Sequence, residues 1–168
     1  MSAKEKVYES EVEQDGIFDF KKMYNFAYDF LKDKSYDVSE TSYSEKITPD
    51  GKEIEVKWEM EKKVNDYIKY LGKVKMSLKG LKSVEVQKNG RKEDSNKGKI
   101  KITVFGEIEK DYKKEWEGSF FSKFLRSIYD KYIAGEQHKE LKAKYAEDLD
   151  ELVVQLKSFL VLEGIKGK

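Results

Sequence analysis

Apolar and charged side chains alternate with period two through the centre of the chain. Between residues 53 and 64 the even positions are apolar except for Lys62 and the odd positions are all charged, and the alternation returns over 68–78 and 100–108. Successive side chains of a strand point to opposite faces, so this pattern predicts antiparallel strands with one buried face and one face in water. No other feature of the sequence constrains the fold as strongly.

The loop between residues 64 and 68 sets the register of the first predicted hairpin. A two-residue loop would place apolar positions opposite charged ones, whereas a three-residue loop pairs apolar with apolar. We therefore predict the three-residue loop. The expected cross-strand pairs are Val64–Ile68, Trp58–Val74 and Val56–Met76 on the apolar face, with Glu59–Lys73 and Glu53–Lys79 on the charged face.

A helix is predicted over residues 18–33. Asp19 is placed as its N-cap, and Phe18 can pack on Met23 in the spacing of a hydrophobic staple. The apolar stripe exceeds half the circumference, so we expect the helix to be covered by the sheet on one side and by another helix or a partner on the other. The residues that widen the stripe, and that form the candidate interaction surface, are Phe26, Tyr28 and Phe30.

The remaining patterns complete an α+β fold in one domain, residues 1–168. The predicted order is strand and helix, then a five- to six-stranded antiparallel meander curved around terminal helices. The remaining predicted segments are a first strand at 4–13, weaker strands at 36–48, 81–88 and 91–95, helices at 112–134 and 137–162, and a frayed tail at 163–168.

This order of elements resembles the helix-grip architecture of the START/polyketide-cyclase-like (SRPBCC) superfamily. The chain differs from it in having two long terminal helices where one is expected, and one helix after the first strand where two are common. The resemblance implies a cavity between the sheet and the final helices for a lipid-like or other hydrophobic ligand. The Lys- and Glu-rich composition is also similar to that of small archaeal proteins and would suit a thermophile, although an AT-rich genome gives the same bias.

If that cavity exists, apolar side chains of the sheet and of the penultimate helix would line it. A packed core with gap-filling methionines is the alternative for the same residues. The candidate ligand-binding residues are Trp58, Met60, Tyr70, Met76, Phe124, Ile128 and Tyr132.

Composition excludes several classes of chemistry. The chain has no Cys and one His, which excludes disulfides, thiolate ligands and a histidine-based zinc site. His138 lies in a polar segment and is predicted at the surface. Phosphate-binding loops, dinucleotide fingerprints and nucleophile elbows are missing from the sequence. We predict no catalytic residue, no metal site and no cofactor, and the sequence favours a non-catalytic binding protein over an enzyme.

The middle of the chain is basic. Residues 66–114 carry 14 Lys and Arg against 7 Asp and Glu, a net charge of +7. One interpretation is a phosphate-contacting surface for nucleic acid. The other is a solvated sheet face whose lysines pair with Glu53, Glu59 and Glu61. The sequence favours the second, because only Phe105 and Leu71 interrupt that face and a platform for base stacking is missing.

The expected partners follow from these surfaces. They are a hydrophobic small molecule in the cavity, or a protein partner or second copy of the chain on the helix at 18–33. The longest apolar runs fall far short of the roughly 20 residues that span a bilayer. We therefore expect a cytoplasmic protein without a membrane span.

Overall fold

The computed structural model describes residues 3–110, 124, 127 and 135–166. Within these residues the chain forms five strands and two helices. The elements are β1 (Ala3–Phe18), α1 (Phe20–Asp33), β2 (Asp37–Thr48), β3 (Gly51–Lys63), β4 (Ile68–Lys88), β5 (Arg91–Lys110) and α2 (Gly135–Lys166).

The strands form one antiparallel sheet in the order β1-β5-β4-β3-β2. The predicted α+β class and antiparallel sheet are confirmed. The strands predicted separately at 81–88 and 91–95 are continuous with their neighbours, because β4 and β5 run for 21 and 20 residues. Four strands, rather than the five or six predicted, therefore follow α1. The fifth strand of the sheet is β1, which precedes α1.

The predicted hairpin register is confirmed. The Val64 N–H donates to the Ile68 carbonyl at 3.0 Å, and Trp58 lies opposite Val74 as the alternation requires. The Glu59–Lys73 pairing is also present. The register shifts at Glu53, however, so that Lys52 faces Leu81 and the expected Glu53–Lys79 pairing is not part of the regular ladder.

Both helices pack on the apolar face of the sheet. Asp19 is the N-cap of α1 and accepts the Lys22 N–H at 3.0 Å, as predicted. Phe18 and Met23 are both fully buried. The helix predicted at 137–162 is longer at both ends, and the helix predicted at 112–134 lies almost entirely outside the described residues. Neither α1 nor α2 carries a segment long and apolar enough to cross a membrane.

Candidate functional site

The sheet residues predicted to line a cavity are all buried beneath the helices. Trp58, Met60, Tyr70 and Met76 each expose 3% or less of their surface. Phe124 is 53% exposed. Ile128 and Tyr132 lie outside the described residues, so their predicted role stays a prediction.

A stack of tyrosines fills the space between the sheet and α2. The rings of Tyr70 and Tyr145 lie 4.2 Å apart and nearly parallel, and Tyr36 stacks beside them. The Tyr70 hydroxyl donates to the Leu141 carbonyl at 2.8 Å, and the Tyr36 hydroxyl donates to Asp148 at 3.1 Å. Burial raises the pKa of Tyr70 to about 12 and raises the pKa values of Tyr36 and Tyr145 further. These hydroxyls are therefore protonated donors that attach α2 and the start of β2 to the sheet.

Two glycines show how closely α2 approaches the sheet. A methyl group added at Gly106 would overlap the side chains of Leu149 and Tyr145. One added at Gly72 would overlap Met60 and the Tyr145 hydroxyl. In this part of the interface the side chains are in contact without a gap.

The aromatic residues that widen the stripe of α1 contact other parts of the chain. Phe26 stacks on Phe159 of α2 at 5.9 Å, which identifies another helix as the second cover of α1. Tyr28 meets the edge of Trp58 at 6.0 Å and is 37% exposed. Phe30 is half-buried beneath the Lys34 ammonium.

The opposite face of the sheet is open and carries two adjoining grooves. A groove of about 890 Å³ lies between acidic side chains of β1 and lysines of β4 and β5. An adjoining groove of about 500 Å³ shares Asp15, Lys79 and Lys99 with it. Both grooves fall in the size range of ligand sites, but charged side chains dominate their lining.

Seven lysines of two adjacent strands form a continuous basic surface on this face, here named the lysine strip. All seven are exposed, and six of them have no ion pair among the described residues. The strip consists of Lys73, Lys75, Lys79 and Lys82 of β4 with Lys97, Lys99 and Lys101 of β5.

Lysines of the strip face other lysines directly across neighbouring strands. Lys79 lies opposite Lys99, and Lys82 lies opposite Lys97. Lys75 lies opposite Lys57 of β3. Like charges directly opposite each other destabilise a sheet. An anion bound between the strands would remove this repulsion.

A bulge in β4 places Lys82 on the strip. Residues three apart in a regular strand point to opposite faces. The register shifts between Lys79 and Lys82, and Gly80 adopts a φ of +61°, in the left-handed region that favours glycine. Because of this irregularity both lysines face their partners on β5 and line the same groove.

Ion pairing accounts for only part of the basic surface. Lys101 binds Glu11 at 3.0 Å, which raises the lysine pKa and lowers the glutamate pKa, and Lys69 binds Glu61 at 2.8 Å. The pairing that the sequence suggested for Glu53 and Glu59 does not reach ion-pair distance in the described structure.

Acidic residues border the lysine strip on both sides, and are here named the acidic margins. On β1 they alternate with inward-facing residues, and on β3 only Lys57 interrupts them. The margins are Glu9, Glu11, Glu13 and Asp15 of β1 with Glu53, Glu55, Glu59 and Glu61 of β3.

His138 lies at the surface only in part. Its side chain is 13% exposed, and Nε2 contacts Glu5 at 3.1 Å. Glu5 also accepts from Lys142 at 2.6 Å, and these two hydrogen bonds, with Lys142 the stronger influence, lower the Glu5 pKa. The pairing joins β1 to α2, and nothing in the polar segment around His138 indicated so distant a partner.

The described residues lack a group of three or more His, Asp or Glu side chains that could hold a metal ion. The exposed ammonium groups of the strip can bind anions. Comparison of the chain with models of known protein families, with curated proteins and with solved structures finds no significant match. The relationship to the helix-grip superfamily therefore stays a prediction.

Proposed function

We propose that this protein is a non-catalytic binding protein that holds the sugar-phosphate backbone of a nucleic acid on its lysine strip. The observation that carries the proposal is the set of three cross-strand lysine pairs, Lys57–Lys75, Lys79–Lys99 and Lys82–Lys97. Direct opposition of like charges costs stability, and a row of phosphates would offset that cost.

The lysine strip is long enough to bind an extended ligand. Lys82 follows Lys73 by nine positions along the strand, which is roughly 30 Å at about 3.3 Å per residue. Lys73 and Lys75 of β4 are two residues apart, as are the three strip lysines of β5, so their spacing along each strand is about 7 Å. A linear polyanion can therefore meet several ammonium groups at once.

The open face supports this function better than the buried one. The sheet residues predicted to line a hydrophobic cavity are buried, with Tyr70 stacked on Tyr145 of α2 and Trp58 packed against aromatic rings of α1. The grooves on the outer face, in contrast, are open to solvent. The hydrophobic-ligand and protein-partner hypotheses stay predictions.

Removal of strip lysines should weaken binding and its dependence on salt. In the triple variant Lys75→Gln/Lys79→Gln/Lys99→Gln we expect at least a tenfold loss of affinity for a fluorescent mixed-sequence single-stranded DNA at low salt. The slope of log K against log salt should fall in magnitude by about 2, since each lost phosphate contact on a single strand contributes about 0.7. Fluorescence anisotropy at several salt concentrations measures both quantities.

The matched control is Lys21→Gln/Lys32→Gln/Lys144→Gln, which removes the same charge from exposed positions of the helices on the other face. It should keep the wild-type slope. Equal losses in the two triple variants, or no retention of the DNA by the wild type, would overturn the proposal. Circular dichroism should show the strip variant folded and at least as stable as the wild type, because the change removes like-charge pairs.

A further inference from the structure

The charge pattern around the lysine strip points to the form of nucleic acid that it binds. We infer that the protein binds single-stranded nucleic acid in preference to duplex, with the strand running parallel to β4 and β5. The inference rests on the proposed function and adds to it the class of ligand.

The basic surface is narrow. Its lysines come from two neighbouring strands, which lie about 4.8 Å apart. Three strand spacings separate β1 from β3, so the two acidic margins face each other across roughly 14 Å. A polyanion meets favourable potential only along the strip between them.

A duplex does not fit that geometry. It carries about one charge per 1.7 Å of axis on two strands, and its major groove separates the two phosphate rows by about 12 Å. The strip is only one strand spacing wide, so with one row on it the second row would lie over or beyond an acidic margin. A single strand has one row of phosphates and avoids this repulsion.

The surroundings of Phe105 also favour a single strand over a duplex. Phe105 is half-buried on the outer face, directly between Glu9 of β1 and Lys73 of β4. A base can stack on an aromatic ring only when it is free of its pairing partner. One such ring at the end of the strip gives a single strand a contact that a duplex cannot make.

The test compares a single-stranded DNA with the duplex of the same sequence at one low salt concentration. We expect the single strand to bind at least tenfold more tightly. In the margin variant Glu9→Gln/Glu13→Gln/Asp15→Asn the duplex should gain more affinity than the single strand, so that the preference falls at least threefold. The control Asp29→Asn/Glu140→Gln/Glu147→Gln makes the same change of charge on the helices and should leave the preference unchanged.

The outcomes separate the inference from the proposed function. Duplex binding equal to or tighter than single-strand binding, with both still lost in the strip variant, would overturn the inference and leave the proposed function standing. The same holds if the margin variant and its control shift the preference equally. Failure of either DNA to bind the wild type would overturn both.

Discussion

Three buried tyrosine hydroxyls make the native state sensitive to alkaline pH. Tyr36, Tyr70 and Tyr145 each have a pKa raised above the ordinary value of 10, with burial as the largest cause. The phenol of Tyr70 therefore contributes its full stabilisation below pH 10, and that contribution is lost as the pH rises towards the native pKa of about 12. The stabilising contributions of Tyr36 and Tyr145 are lost in the same way as the pH rises above 10.

Replacing Tyr70 by Phe should flatten this dependence. Above pH 10 each such tyrosine lowers the free energy of unfolding by up to about 1.4 kcal/mol per pH unit. Tyr70→Phe should be less stable than the wild type by about 1 kcal/mol at neutral pH, because the Leu141 carbonyl loses its donor. Its stability should then fall less steeply from pH 10 to 11. Urea unfolding at pH 7, 10 and 11 measures both effects, and identical pH slopes for the two proteins would contradict the assignment.

Single residues were predictable from sequence where the cause is local. Asp19 caps α1 because its carboxylate lies within reach of the Lys22 N–H three residues away. The hydrogen bond from Tyr36 to Asp148 joins residues 112 positions apart, and the sequence contains no signal for it. The contact between His138 and Glu5, 133 positions apart, could not be predicted for the same reason.

Close contact between α2 and the sheet depends on two glycines, Gly72 of β4 and Gly106 of β5. Gly106 of β5 lies against Leu149 and the ring of Tyr145, so a larger residue must displace these side chains of α2. We expect Gly106→Ala to lower the free energy of unfolding by about 1–3 kcal/mol, the usual cost of overpacking.

A double-mutant cycle identifies the origin of that cost. Leu149→Ala alone should destabilise by about 2–5 kcal/mol, because it removes a fully buried side chain. Combined with Gly106→Ala, the loss should fall short of the sum by about 1 kcal/mol or more, since the smaller side chain makes room for the new methyl group. Denaturant unfolding measures all four proteins, and additive losses would show that the two positions do not share a contact.

At the scale of elements, the alternation of apolar and charged residues predicted well how neighbouring strands pair. It predicted poorly where a strand ends and where it continues. The register of β3 with β4 follows from the parity of their apolar positions and was predictable. The apolar pattern breaks at Gly80, and sequence alone cannot distinguish a strand that ends there from one that continues through a bulge. The opposition of Lys82 and Lys97 depends on that bulge, so the complete lysine strip could not be derived from the sequence.

On the scale of the whole molecule, the two faces of one sheet differ in chemistry. The apolar face and both helices supply the stability, and the charged face remains open. The near-cancellation of 34 basic and 33 acidic residues conceals this arrangement, because the net charge of +1 averages a basic strip with acidic margins. The composition therefore argued against nucleic acid, whereas the strand order concentrates the lysines in one place.

Lysine footprinting tests the binding face without altering the protein. The folded chain is acetylated briefly, with and without an excess of single-stranded DNA at low salt, and the modified positions are quantified by mass spectrometry. We expect Lys75, Lys79 and Lys99 to be protected severalfold by the DNA, while Lys21, Lys32 and Lys144 react at unchanged rates. Protection of the helix lysines with the strip unprotected, or no protection at either set, would contradict the lysine strip as the binding surface.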